Sequence, residues 1–282
     1  MPARLPFRSF LAAVLAAGSA AFLAQAEGRI GLQPASVELE LNPGEPMRQV
    51  VTIANLDPAH PVSVSLALAD WAYDEDGAPV FTPAGESDSS AAAWTRYRAP
   101  TVSLAPGQSK QVVINLSTPE PLVRTGDYRV ALLASSVMKD EAGHWQKHRI
   151  ASLFSLTAGK ARSYPKIMAS RLTVTADGEP AIGLDLANTG NAHARLDGVI
   201  EIRSGTEIVL SRDLKDVIVP DKGTRNLIVP LDQPLPADPE IEIRLLNRFA
   251  PQTRRGEKSL PPYKVKTETE VADLAIPVGG QD

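Results

Sequence analysis

The sequence has no cysteine in its 282 residues. Disulfide scaffolds, cysteine-ligated zinc, iron–sulfur clusters and cysteine nucleophiles are therefore excluded. Aromatic residues are scarce, at 5%, so Trp71, Trp94 and Trp145 stand out. Neither sign of charge prevails: 29 Lys and Arg face 33 Asp and Glu, for a net charge of −4. That balance gives no general pull towards nucleic acid or an anionic membrane. The local run "RFAPQTRRGEK" reads as a solvated loop. The G-x-S-x-G, H-E-x-x-H, Walker and Rossmann patterns are missing as well. "DEDG", Asp74–Gly77, lacks the other ligands of a calcium loop and reads as a hairpin turn. His144 and His148 are four apart in "GHWQKHR". The flanking residues suggest a hairpin loop with no acidic ligand in helical register, so no metal site is expected. No residue is nominated as catalytic. The chain reads as a non-enzyme without metal or cofactor.

Long apolar runs are also missing, with one exception at the N-terminus. "MPARLPFRSFLAAVLAAGSAAFLAQA" carries Arg4 and Arg8, then the apolar stretch Phe10–Leu23, then "AQA". These are the three parts of a secretory signal peptide. The apolar stretch falls short of the roughly 20 residues that a membrane span needs. Residues 1–26 are expected to be removed after Ala26, leaving an exported chain with no membrane insertion.

Proline, by contrast, is abundant at 24 residues, and it punctuates runs that alternate with period two. "SVELEL", "RQVVTIANL" and "VSVSLALADWAY" are separated by "NPGEP" and "DPAHP", which is the pattern of strands and turns. "DSSAAAWTRYR" is the best candidate for a short helix, or else a loop that leads into a strand. Two segments read as related copies. "QVVTIAN" ending at Asn55 matches "AIGLDLAN" ending at Asn188. "LAPGQSKQVVINL" matches "IVPDKGTRNLIVPL", and "GDYRVALL" matches "PEIEIRLL". The expected fold is all-β, with two tandem immunoglobulin-like sandwiches. Their expected extents are 27–160 and 161–275, with a tail at 276–282.

Within the first unit, the last strand is "HRIASLFSLTAG". Ile150, Ser152, Phe154 and Leu156 share one face; Ala151, Leu153 and Ser155 share the other. It is either an ordinary final strand or an edge that lends alternating side chains to a partner.

"VELELNPGEPMRQVVTIANLDPAHPVSVSLALADW", "YRAPTVSLAPGQSKQVVINL" and "TGDYRVALL" follow in an order that resembles the N-terminal domain of periplasmic fimbrial chaperones of the chaperone–usher pathway. "LDLANTGNAHARLDG" with "VPDKGTRNL" resembles that family's second domain. The resemblance implies a periplasmic chaperone. It would complete the unfinished fold of a pilus or surface-fibre subunit with its own strand and deliver that subunit to an outer-membrane usher. By the same resemblance the donor strand is Arg149–Leu156, with Ile150, Ser152, Phe154 and Leu156 the favoured inserting set and the opposite phase the other choice. Members of the family grip the subunit's terminal carboxylate with an Arg on the first strand and a Lys near the end of the donor strand. Here Ala35 stands near the Arg position, and no Lys lies inside the donor strand. Arg29, Lys160 and Arg162 are the nearest substitutes, as in a divergent member. Two other readings are an exported structural or adhesion module that lends no strand, and a carbohydrate-binding accessory protein using its tryptophans, of which Trp71 reads more as core.

Overall fold

The computed structural model describes residues 30–139, 142–236, 239–249 and 258–264. The expected signal peptide, Arg29 and the 276–282 tail lie outside these. The first set of strands is β1 (Ile30–Gln33), β2 (Ser36–Leu41), β3 (Pro46–Asn55), β4 (Val62–Tyr73), β5 (Pro79–Pro83), β6 (Thr95–Tyr97), β7 (Thr101–Leu104), β8 (Ser109–Ser117), β9 (Gly126–Lys139) and β10 (Trp145–Ala158). The second set is β11 (Pro165–Val174), β12 (Pro180–Asn188), β13 (Ala194–Ser204), β14 (Glu207–Val219), β15 (Gly223–Pro230), β16 (Glu240–Asn247), β17 (Lys258–Ser259) and β18 (Tyr263–Lys264). The protein is all-β, in two sandwiches.

In the first sandwich, a sheet ordered β1-β3-β8-β6 faces one ordered β2-β10-β9-β4-β5, with β7 also on β4. Alternation puts Val51, Ile53, Ile114, Leu116, Leu132, Phe154 and Leu156 into the space between them, and all are essentially inaccessible. Each such side chain contributes on the order of 1.5–3 kcal/mol. Tyr128, near the start of β9, turns its hydroxyl back to the Arg124 carbonyl at 2.7 Å, the tyrosine corner of immunoglobulin-like sandwiches. The second sandwich stacks β11-β12-β15 on β14-β13-β16-β17 around Ile182, Leu184, Ile200, Ile202 and Ile243.

The copies seen in the sequence correspond in space. β3 pairs with β8 as β12 pairs with β15, and β4 pairs with β9 as β13 pairs with β16. The closing asparagines show why they recur. Asn55 donates to the His60 and Ala105 carbonyls and accepts from the Asp57 amide. Asn188 donates to the Ala192 and Pro220 carbonyls and accepts from the Gly190 amide. Each buried carboxamide thus pegs its own turn to the Pro-containing turn of a neighbouring strand. Beside Asn55, Asp57 accepts from the Ala59 and His60 amides, and those bonds hold its pKa at about 2.

Two local readings take definite form. Of its two readings, "DSSAAAWTRYR" takes the loop that leads into a strand, with a 3-10 turn at Ala92–Trp94 directly before β6. "DEDG" forms the hairpin loop between the antiparallel β4 and β5: Asp74 accepts from the Asp76 and Ala78 amides, and Gly77 takes φ +77.

Candidate functional site

The site is built on β10. Its antiparallel register with β9 is unbroken from Trp145 opposite Lys139 to Ala158 opposite Gly126. Its other side is covered over only part of its length. β2 joins it in parallel from Leu153 to Ala158, after the chain crosses from the first sheet at Pro34. Before Leu153 no described strand flanks that side. Trp145–Ser152 therefore has a free margin, and its Trp145–His148 part, which lies beyond the β4 pairing of β9, forms half of a two-stranded projection.

Ladder parity says which backbone groups are free. The Leu153 amide donates to the Ala35 carbonyl at 2.9 Å, away from β9. Backbone direction alternates with period two. Trp145, Lys147, Arg149 and Ala151 thus present N–H and C=O to the open side, while Gln146, His148 and Ile150 spend theirs on β9.

Side-chain burial separates the two faces of β10 and places the favoured set. Phe154 and Leu156 are 1% and 0% exposed in the chain's own core. Ser152 is buried too, and its hydroxyl donates to the Pro34 carbonyl at 2.7 Å. In this conformation those three side chains face their own sandwich and are not offered to a guest. Ile150 is half-buried against the same core, and Arg149 is exposed. The reason is that β2 already occupies the flank of Leu153–Ala158, so this half of β10 is interior. The opposite phase lies on the outer face, where Ala151 and Leu153 pack beside Trp71, Ala131 and Leu133. Trp71 is buried, and its Nε1 donates to the Phe154 carbonyl at 3.2 Å. Trp94 stacks against Tyr128. Trp145 is 68% exposed at the start of the free margin, with the Lys139 ammonium 5.1 Å above its ring.

A second feature lies where the two sandwiches meet, in a cleft of about 660 Å³. Glu38 and Ser155 enter it from β2 and β10; Arg195, Asp216 and Arg248 enter from the other sandwich. Its charges are mutually compensated. Arg195 bonds both Glu38 and Asp216, and Arg248 bonds Asp197 at 2.7 Å. Below it, buried Asp127 accepts from the His193 amide at 2.7 Å and shares a 2.7 Å hydrogen bond with His193 Nδ1. Burial pushes the Asp127 pKa up. The His193 hydrogen bond and charge, Arg129 and the His193 amide outweigh that and hold it below the ordinary value. Arg129 meanwhile reaches Asp221 at 2.6 Å, tying the first sandwich to the second.

Of the sequence-level anchor candidates, Arg29 lies outside the described residues. Lys160 and Arg162 are exposed and do not line the cleft. Their backbone carbonyl and amide, respectively, meet the Asn191 side chain instead. The cations that do enter the cleft, Arg195, Lys215 and Arg248, carried no signal in the sequence, because each comes from an unremarkable strand or strand end of the second sandwich.

No protein-family model matches the sequence, and no curated protein matches it. Among solved structures, the fold is similar to the class 5 fimbriae chaperone CfaA, at 10% identity and a TM-score of 0.46, covering 84% of this chain and 98% of that one. It is also similar to the CsuC–CsuE chaperone–tip adhesion subunit pre-assembly complex of Acinetobacter baumannii, at 11% identity and 0.43, covering 83% and 97%. A third is the Escherichia coli chaperone DraB, at 11% identity and 0.40, covering 84% and 97%. No helix among the described residues is long and apolar enough to cross a membrane.

Proposed function

We propose that this protein is a periplasmic chaperone that binds pilus or surface-fibre subunits by strand addition and delivers them to an outer-membrane usher. The observation that carries this reading is the free margin of β10. Trp145, Lys147, Arg149 and Ala151 hold backbone donors and acceptors ready, on a strand whose remainder is locked into the core. A subunit lacking one strand has the complementary need: unpaired ladder groups beside an apolar groove. Pairing satisfies both edges, and the side chains of the margin supply specificity. The order of strands in the sequence, which resembles fimbrial chaperones, supports the same role. The client-binding unit is taken as 27–160, and the second unit, 161–275, walls the cleft. Because Arg195 and Arg248 already hold carboxylates, a subunit's terminal carboxylate would have to displace Glu38 or Asp197 to bind there.

The test is co-expression with exported β-rich proteins encoded beside this gene, followed by pull-down and amide exchange. The expected result is a stable pair in which the outward amides of Lys147, Arg149 and Ala151 pass from fast to slow exchange. Slow exchange at those amides in the free protein, unchanged by any candidate client, would refute the role.

A further inference from the structure

The far edge of the first sandwich carries a second unpaired stretch. β6 meets β8 only through Thr95–Tyr97, opposite Leu116, Asn115 and Ile114. The Ser109–Val113 part of β8 runs on without a strand on that side among the described residues. Parity again identifies the free groups. The Gln108 carbonyl accepts from the Asn55 amide, on the β3 side. Three residues on, Gln111 turns its N–H and C=O to the open side. Between this margin and β7 lies a groove of about 590 Å³.

The groove is charged with one sign. Arg48, Arg98 and Lys110 line it, and no Asp or Glu does. Lys110 Nζ donates across it to the Ser103 carbonyl at 2.7 Å, a bond that leaves its charge uncompensated. Arg96 adds to the cluster, since Arg48 and Arg96 flank Asn115 on either side in the sheet. In a chain of net charge −4, this is a local reversal of sign. The turn that aims Arg98 is unusual as well: Ala99 holds φ +64 directly before Pro100. An L-residue in that region is strained and persists where surrounding structure imposes it.

We propose that this groove binds an extended acidic segment of a partner protein, laid along the free margin of β8 with its carboxylates on Arg48 and Arg98. A small anion would use the guanidinium groups but leave the Gln111 carbonyl unanswered; a peptide backbone answers both it and the amide. Cations along a strand edge repel basic strands, disfavour uncharged ones that would desolvate them without a counter-charge, and attract an acidic one. Guanidinium groups also match carboxylates in a two-bond fork. The site is separate from β10 and does not depend on the role proposed for it.

The experiment uses the full exported chain and an acetylated, amidated Glu-Val-Glu-Val-Glu peptide, followed by amide NMR and fluorescence anisotropy. Expected are shifts at the Arg98, Gln111 and Val113 amides and a Kd raised at least tenfold by combining Arg48→Gln with Arg98→Gln. Arg98→Glu alone serves as an independent variant, and circular dichroism verifies that each variant folds. A peptide that does not bind, that binds the variants equally, or that binds equally with Gln in place of Glu overturns the proposal. So does inorganic phosphate that reproduces every shift, Gln111 included, since the groove would then be a simple anion site.

Discussion

Proline scanning along β10 separates its two sides. Arg149 points its N–H to the open margin, whereas Ile150 points its own to β9, opposite Ala134. Proline has no N–H, and on strands it is tolerated where that N–H faces solvent. Arg149→Pro thus deletes no ladder bond and removes an exposed side chain. Its effect on stability is expected within about 0.5 kcal/mol. Ile150→Pro deletes a bond worth roughly 0.5–1.5 kcal/mol and strands a carbonyl of β9 at a cost of about 1–3 kcal/mol. Together these give about 2–4 kcal/mol. At roughly 2–4 °C per kcal/mol for a chain of this size class, Tm should fall by about 5–15 °C. Binding should show the reverse order of interest. In Arg149→Pro the margin loses a donor and gains a ring where a guest strand must lie. Client capture should therefore drop at least tenfold, a change of about 1.4 kcal/mol, in a protein that melts like wild type. Thermal melts by circular dichroism and pull-down of a co-expressed client are the two readouts. Equal melting of both variants would refute the assigned ladder parity. Undiminished capture by folded Arg149→Pro would refute strand addition at this margin.

Three further outcomes follow from the packing. Phe154→Ala should cost about 3–5 kcal/mol, because a large buried ring leaves a cavity; a urea midpoint close to wild type would contradict its core position. Asp127 has a folded pKa below its unfolded value. Its contribution is therefore present above about pH 3.9 and lost as pH falls through the lower folded value. Asp127→Asn should flatten the acid limb of stability against pH, measured by urea unfolding between about pH 5 and 2; an unaltered limb would exclude that coupling. Trp145→Ala should leave Tm within about 1–2 °C of wild type, since the ring is 68% exposed, yet weaken client capture. Loss of affinity for oligosaccharides in that variant, with capture intact, would favour the carbohydrate-binding reading instead.

Much of the architecture was legible because it rests on local chemistry. Alternation with period two marked β2, β3, β4 and β10, and the strand-closing Asn55 and Asn188 marked a repeated plan; that each of them locks its turn to the Ala105 or Pro220 carbonyl is visible only in the tertiary structure. The site was legible only as a strand. Its two faces have similar composition: Phe154 and Leu156 on one, Leu153 on the other. Sequence periodicity therefore said that they oppose each other without saying which is inward. The cleft was opaque for a different reason. Arg195 and Glu38 meet across 157 positions of chain, and nothing in their immediate surroundings marks either as a partner.

By itself, then, the sequence determined that the chain is all-β, that it repeats one sandwich plan twice, and that a final strand with apolar residues on both faces closes the first copy. These follow from periodicity and turn chemistry, which act over a few residues. The tertiary structure decided that Phe154 and Leu156 belong to the core, that the margin before Leu153 stays open, and that Arg195 and Arg248 rather than Lys160 and Arg162 line the cleft. Those outcomes depend on where β2 ends its pairing and how two sandwiches abut. Both are set by contacts between residues far apart in the chain, which no local pattern encodes.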